Sequence, residues 1–138
     1  MIAGCAADTT EESVEQALAV AEGCTPSGAE VEAVAVSGEF GAAPVVTFEA
    51  PLSAVLTQRS VIIDGEGVEV QDGDILSIDY SLYNAATGDL IEESGYTEVS
   101  PTVLTLDIDA PNFVGVSLTA ACSTVGSRVV GLIPPSEA

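Results

Sequence analysis

The segment NFVGVSLTAACSTVGSRVVGLIPPSEA, from Asn112 to Ala138, decides the fold. Its first part predicts a short helix with four apolar side chains that cannot all face water: Phe113, Val114, Val116 and Leu118. A helix this short is marginal alone and needs a sheet to pack against. The run RVVGLI from Arg128 predicts a buried strand. Pro134 and Pro135 have no backbone N–H, so they predict an extended exit from that strand.

The residues before this segment predict further strands. Two short ones, at 31–36 and 45–48, flank a glycine-rich turn and are expected to form a hairpin. A longer strand is expected at 55–63 and another at 103–106.

Residues 75–83 alternate apolar and polar side chains. This period of two predicts one half-buried antiparallel strand with four residues on its inner face: Leu76, Ile78, Tyr80 and Leu82. Together with the late helix, the order of elements predicts the α+β class, an antiparallel sheet with one short helix packed on its apolar face.

The charge of the chain limits its partners. There are 22 acidic residues against two basic ones, Arg59 and Arg128, which gives a formal net charge of −20. A surface of this sign does not neutralise phosphates, so we expect no nucleic-acid binding, and it repels anionic lipid. The excess of acid keeps the protein soluble by self-repulsion, or adapts it to salt-rich or cation-rich surroundings.

The composition also limits the chemistry. The chain has no histidine, which excludes Ser-His-Asp and Cys-His catalysis. Two acidic turns, at Asp64–Gly67 and Asp72–Asp74, lack the ligand series of an EF-hand loop. Turn formation accounts for them, so we expect neither a metal nor a cofactor.

The first five residues, Met1-Ile2-Ala3-Gly4-Cys5, resemble the end of a bacterial lipoprotein signal, the lipobox. The resemblance implies that Cys5 carries lipid and that the protein is held at a membrane by this anchor alone, since no stretch reaches the roughly 18 apolar residues of a span. The alternative is a small hydrophobic cysteine near a frayed end. A capping box from Thr9 to Glu12 predicts an acidic helix at 10–22, or a tether that is only transiently helical. Residues 1–24 therefore form an N-terminal segment before a domain at 25–138.

Three cysteines are present, and two remain if Cys5 is lipidated. Outside the cytoplasm Cys24 and Cys122 would be expected to pair. Two separate buried thiols are the alternative.

Several short runs resemble FKBP-type peptidyl-prolyl cis-trans isomerases, in particular actinobacterial secreted and lipoprotein members. The late runs are Val114-Gly115-Val116, Val125-Gly126-Ser127-Arg128 and Ile133-Pro134-Pro135; the earlier ones are Asp72-Gly73-Asp74 with the strand to Tyr80, and the segment from Thr87 to Ser94. The resemblance implies a half-barrel of antiparallel strands wrapped around a short helix, with front strands at 31–63 and a core at 64–138. It also implies a final strand and a Tyr-Gly pair beyond Ala138.

The family's chemistry is rotation about an X-Pro bond, whose uncatalysed barrier is about 18–20 kcal/mol. An apolar pocket desolvates the imide and a backbone N–H holds a carbonyl. The resemblance implies a pocket made by six residues: Tyr80, Ile91, Glu92, Phe113, Val114 and Val116. Ile91 stands where the family has Phe and Glu92 where it has Asp. Phe113 and Val114 lie around the substrate-binding N–H, and Val116 lies at the pocket floor. Tyr80 and Val116 are equally explained as core residues, and Glu92 as a surface acid.

The expected function is therefore a prolyl isomerase or folding helper outside the cytoplasm, monomeric, with proline-containing polypeptides as clients. Because Ile91 replaces an aromatic wall, we expect weak activity or none. The alternatives are a non-catalytic FKBP-like module that binds extended segments, and a structural cell-surface domain.

Overall fold

The computed structural model describes residues 24–96 and 102–138. It has the predicted α+β class: eight short strands, all paired antiparallel, and two helices. In chain order the elements are α1 (Ala29–Glu32), β1 (Ala35–Ser37), β2 (Val45–Thr47), β3 (Gln58–Ile63), β4 (Ile75–Ile78), β5 (Ser81–Tyr83), β6 (Leu90–Glu93), β7 (Thr102–Thr105), α2 (Val114–Ala120) and β8 (Arg128–Leu132), followed by a 3-10 turn at Pro135–Glu137. The predicted lipid site at Cys5 and the helix at 10–22 lie outside the described residues.

The strands pair as four two-stranded ribbons: β1 with β2, β3 with β8, β4 with β7, and β5 with β6. The hairpin expected between the first two strands is confirmed, since Val36 lies opposite Val46. The predicted strand at 103–106 corresponds to β7, and the predicted C-terminal strand to β8. Within the described ranges the ribbons do not join into one continuous sheet.

The best-packed part of the molecule surrounds β8. Helix α2 packs on β8 and β3, as predicted for a helix too short to stand alone, and α1 packs on the same ribbon. Among the described residues the buried hydrophobic core consists of four side chains, all aliphatic: Val31, Leu106, Ala121 and Leu132.

Both arginines hold backbone carbonyls in place. Arg59 donates from Nε to the Thr119 carbonyl at 3.0 Å, at the end of α2. Arg128 donates to the carbonyls of Gly38 and Glu39, each at 3.0 Å, and to that of Ala42. The first arginine therefore fixes α2 on β3, and the second fixes the β1–β2 loop on β8.

Three predicted elements differ from the structure at their ends, and a fourth, the strand at 75–83, is divided in two. The strand expected at 31–36 begins as helix α1, because Val31 is fully buried and its N–H donates to Gln58 Oε1 at 3.2 Å. The strand expected at 55–63 begins at Gln58 instead, since Val55 is 88% exposed. Pro134 is extended as expected, but Pro135 starts a 3-10 turn rather than continuing that conformation.

The strand expected at 75–83 is divided into β4 and β5. After Ile78 the backbone leaves its partner β7 and pairs with β6, and the alternation slips there because Tyr80 and Ser81 are both half-buried. Leu82, expected on the inner face, is consequently exposed.

Candidate functional site

The ribbon of β5 and β6 carries three of the six residues expected at the site. Its turn begins at Asn84, whose Oδ1 accepts the N–H of Ala86 at 2.8 Å, and includes Gly88 with φ +87°. A glycine suits this turn because a left-handed backbone is strained for other residues.

Tyr80 lies one residue before β5 and is joined to the ribbon by hydrogen bonds to Ser94. The Tyr80 N–H donates to Ser94 Oγ and the Ser94 N–H donates to the Tyr80 carbonyl, each at 2.9 Å. The Ser94 hydroxyl in turn donates to Asp79 Oδ1 at 3.1 Å. These bonds fix the position of Tyr80 along the strand.

Glu92 lies diagonally across from Tyr80. Tyr80 lies one residue before β5 and is bonded to Ser94, and Ser94 is two residues beyond Glu92 in the chain, so Tyr80 and Glu92 are diagonal neighbours on adjacent strands. Hydrogen bonding to the Glu92 carboxylate raises the pKa of the Tyr80 hydroxyl, with smaller contributions from burial and from the carboxylate's charge. The structure thus brings together two of the expected residues that are separated in sequence.

Ile91 is the extra residue of a β-bulge. The register passes from Leu82 opposite Glu92 to Tyr83 opposite Leu90, which leaves Ile91 without a partner. Its side chain is 59% exposed. Bulges redirect side chains next to functional sites, and this one turns an isoleucine towards solvent beside Glu92.

The other three expected residues start helix α2. Phe113 precedes it with φ +56°, an uncommon left-handed value for a phenylalanine, and its side chain is 71% exposed. Val114 is half-buried and Val116 is 39% exposed. The buried position of this turn is Gly115, where a Cβ would lie 2.9 Å from the Glu137 carbonyl oxygen. The C-terminal turn therefore approaches α2 closely at Gly115.

The six expected residues form two groups. Tyr80, Ile91 and Glu92 lie on the β5–β6 ribbon, whereas Phe113, Val114 and Val116 lie on α2, whose main packing partners are β8 and β3. The exposed side chains of Ile91 and Phe113 make open surface rather than the walls of an enclosed cavity.

Tyr96, which the sequence did not indicate, also lies at the β5–β6 ribbon, against Ser81. The hydroxyl of Tyr96 lies 2.8 Å from Ser81 Oγ, and Tyr96 has φ +52°. Burial raises the pKa of Tyr96. The sequence gives little indication of Tyr96. It follows Ser94-Gly95, and it does not belong to an alternating or helical pattern of apolar residues.

Cys24 and Cys122 form a disulfide with a Cα–Cα distance of 5.7 Å, the pairing that the cysteine count led us to expect. A cavity of about 330 Å³ lies beside it, lined by Glu69, Leu106, Ala121 and both cysteines among others. None of the six expected site residues lines this cavity, so it is separate from the candidate site.

Across residues 24–96 and 102–138, no three His, Cys, Asp or Glu side chains gather in a way that could hold a metal ion. In the same ranges no helix has the length and apolar character to cross a membrane. No protein-family model, no curated protein and no solved structure matches the chain.

Proposed function

We propose that the chain is a peptidyl-prolyl cis-trans isomerase or folding helper of the FKBP type that acts outside the cytoplasm. The observation that carries the proposal is the diagonal placement of Tyr80 and Glu92 at the β5–β6 ribbon, set by the bonds between Tyr80 and Ser94. Both are polar residues that the resemblance assigns to the pocket, and they are 12 positions apart in sequence. In this proposal the ribbons are the strands of a half-barrel around α2, an arrangement supported by the packing of α2 on β3 and β8.

The proposed chemistry needs no nucleophile. Ile91, which lies next to Glu92 on β6, would contact the proline ring and keep water from that side of the imide. Phe113 and Val116 belong to the separate group on α2. The Tyr80 hydroxyl and the Glu92 carboxylate would orient the neighbouring peptide groups. Binding the twisted imide more tightly than either planar isomer is what accelerates rotation.

A second candidate is a module that binds proline-containing segments without isomerising them. It is favoured by the exposure of Ile91 and Phe113, because an open apolar surface binds a peptide but does not desolvate it fully.

The test is isomerisation of a short X-Pro peptide followed by NMR exchange, which needs no coupling protease. We expect Ile91→Ala to lower kcat/KM and Ile91→Phe, which restores an aromatic wall, to raise it roughly threefold to tenfold, as a gain of about 1 kcal/mol would. Val103→Phe is the matched control, because Val103 is equally exposed on another ribbon. Acceleration by neither wild type nor Ile91→Phe, with the peptide still bound, would favour the second candidate.

We also propose that Cys5 carries a lipid anchor, which the lipobox-like start of the sequence supports. Cys5→Ser is expected to move the exported protein from the membrane fraction to the medium. Mass spectrometry showing an unmodified Cys5 in the membrane-bound protein would contradict the anchor.

A further inference from the structure

Strand β6 is an open edge with apolar side chains. Among the residues that the structure describes it pairs with β5 alone, and all four of its residues are exposed. Leu90 and Ile91 are 50% and 59% exposed. An edge of this kind presents backbone N–H and C=O groups to which another extended chain can bond as an added strand.

The charge around β6 decides which chain can add to it. Asp79, Asp89, Glu92 and Glu93 are exposed on or next to the ribbon. Arg59 donates to a backbone carbonyl at the end of α2. Arg128 also donates to backbone carbonyls, but its charge opposes the rise that burial causes in the pKa of Tyr96 beside the ribbon, so it offsets these four acids only in part. The surface beside β6 is therefore acidic on balance, with four carboxylates against one nearby guanidinium.

The acidic charge disfavours two alternative partners for the β6 edge, a second copy of the chain and the chain's own residues 1–23. A second copy would bring another net charge of −20 against the same edge, and like charges placed across an interface cost several kcal/mol. Residues 1–23 of this chain have five acidic residues and no basic one, so they meet the same repulsion.

We propose that β6 binds an extended, basic polypeptide segment, rich in Lys or Arg, as an added strand. Backbone hydrogen bonds hold the segment along the edge, Leu90 and Ile91 contact its apolar side chains, and the acidic residues pair with its cations. The proposal specifies the charge of the polypeptide client. It rests on the proposed function in one respect only, the presence of a proline in the bound segment.

The test uses fluorescence anisotropy with four peptides of equal length: a Lys-rich peptide with one Pro, the same peptide with Ala for Pro, and Gln and Glu counterparts of the Lys-rich peptide. Through charge complementarity we expect the two basic peptides to bind at least about tenfold more tightly than the Gln peptide, and added salt to weaken them. N-methylation of alternate backbone amides of the basic peptide is expected to abolish binding, which a purely electrostatic contact would not show.

A double variant of the protein, Asp89→Asn with Glu93→Gln, is expected to lose most of the preference for basic peptides. It leaves Tyr80, Ile91 and Glu92 intact. Glu66→Gln with Glu69→Gln changes the charge equally on another loop and is expected to bind like wild type.

The inference is overturned if the Gln peptide binds as well as the basic ones, if both double variants lose affinity equally, if N-methylation has no effect, or if sedimentation shows self-association through β6. These outcomes are distinct from failure of the proposed function, in which the basic peptides bind with or without proline and no isomerisation is accelerated.

Discussion

Gly131 of β8 lies directly against Thr119 of α2, and no side chain fits between them. A Cβ built on Gly131 would be 2.7 Å from Thr119 Cγ2 and 2.8 Å from Thr119 Cβ. Since Cβ atoms essentially never approach a heavy atom that closely, the helix packs on the strand at this distance only because position 131 is glycine.

Gly131→Ala is therefore expected to destabilise the protein by about 1–3 kcal/mol through overpacking. The measurement is the midpoint of urea unfolding. Thr119→Ala should restore part of the loss when it is combined with Gly131→Ala, because it removes Cγ2 and Oγ1, two of the three atoms that the new methyl meets, and leaves only Cβ. A double variant no more stable than Gly131→Ala alone would show that the contact does not limit the packing of α2.

Arg59 provides a second prediction at the same helix. Besides bonding the Thr119 carbonyl, its Nη2 donates to Ser123 Oγ at 2.8 Å, and burial lowers the pKa of Arg59. Arg59→Met keeps the aliphatic stem but leaves both acceptors unpaired, so we expect a loss of about 1–3 kcal/mol in the free energy of unfolding. Arg128→Met is the matched control. Its bonds are exposed, and we expect a clearly smaller loss, confined in hydrogen exchange to the β1–β2 loop.

The third prediction concerns the stability that the disulfide contributes. Cys24 and Cys122 are separated by 98 positions, and closing so long a loop stabilises a protein by at most about 4–5 kcal/mol in the chain-entropy model. Reduction, or Cys24→Ser with Cys122→Ser, is expected to lower stability towards that amount. The bond from Thr25 Oγ1 to the Leu118 carbonyl lies beside the bridge and joins the same two segments. A loss much below 1 kcal/mol would indicate that local contacts such as this one, and not the disulfide, hold them together.

The sequence predicted what depends on local pattern. The apolar run from Arg128 and the alternation after Ile75 gave β8 and β4, and the two glycines at 38 and 41 gave the first hairpin. Helix α1 has only four residues, too few for a helical period to show in the sequence. The pattern at 31–36 therefore predicts a strand that includes Val31, whereas the structure places Val31 in α1, which packs on β3.

The candidate site was less predictable for a different reason. The bulge at Ile91 and the slip at Tyr80 depend on which strand pairs with which, and pairing partners are set by tertiary contacts rather than by the period of one strand. Residue types could suggest that Tyr80 and Glu92 belong together. They could not indicate that Ile91 and Phe113 would be left exposed.

The link between Tyr80 and Glu92 predicts a pH effect. Hydrogen bonding to Glu92 raises the pKa of Tyr80 above its ordinary value of 10.0. A raised pKa in the folded state adds stability that is fully present below pH 10.0 and is lost as the pH rises through the pKa of folded Tyr80. Ring-carbon NMR of labelled tyrosine is therefore expected to show Tyr80 ionising at a higher pH than in the unfolded chain.

Glu92→Ala removes both the acceptor and the charge and should bring the pKa of Tyr80 back towards 10.0. Glu69→Ala, an equal change of charge on a distant loop, should leave it in place. If Glu92→Ala and Glu69→Ala shift the pKa equally, the effect belongs to the overall acidity of the protein. The diagonal pair would then lose its chemical distinction, and the proposed isomerase site would lose its main support.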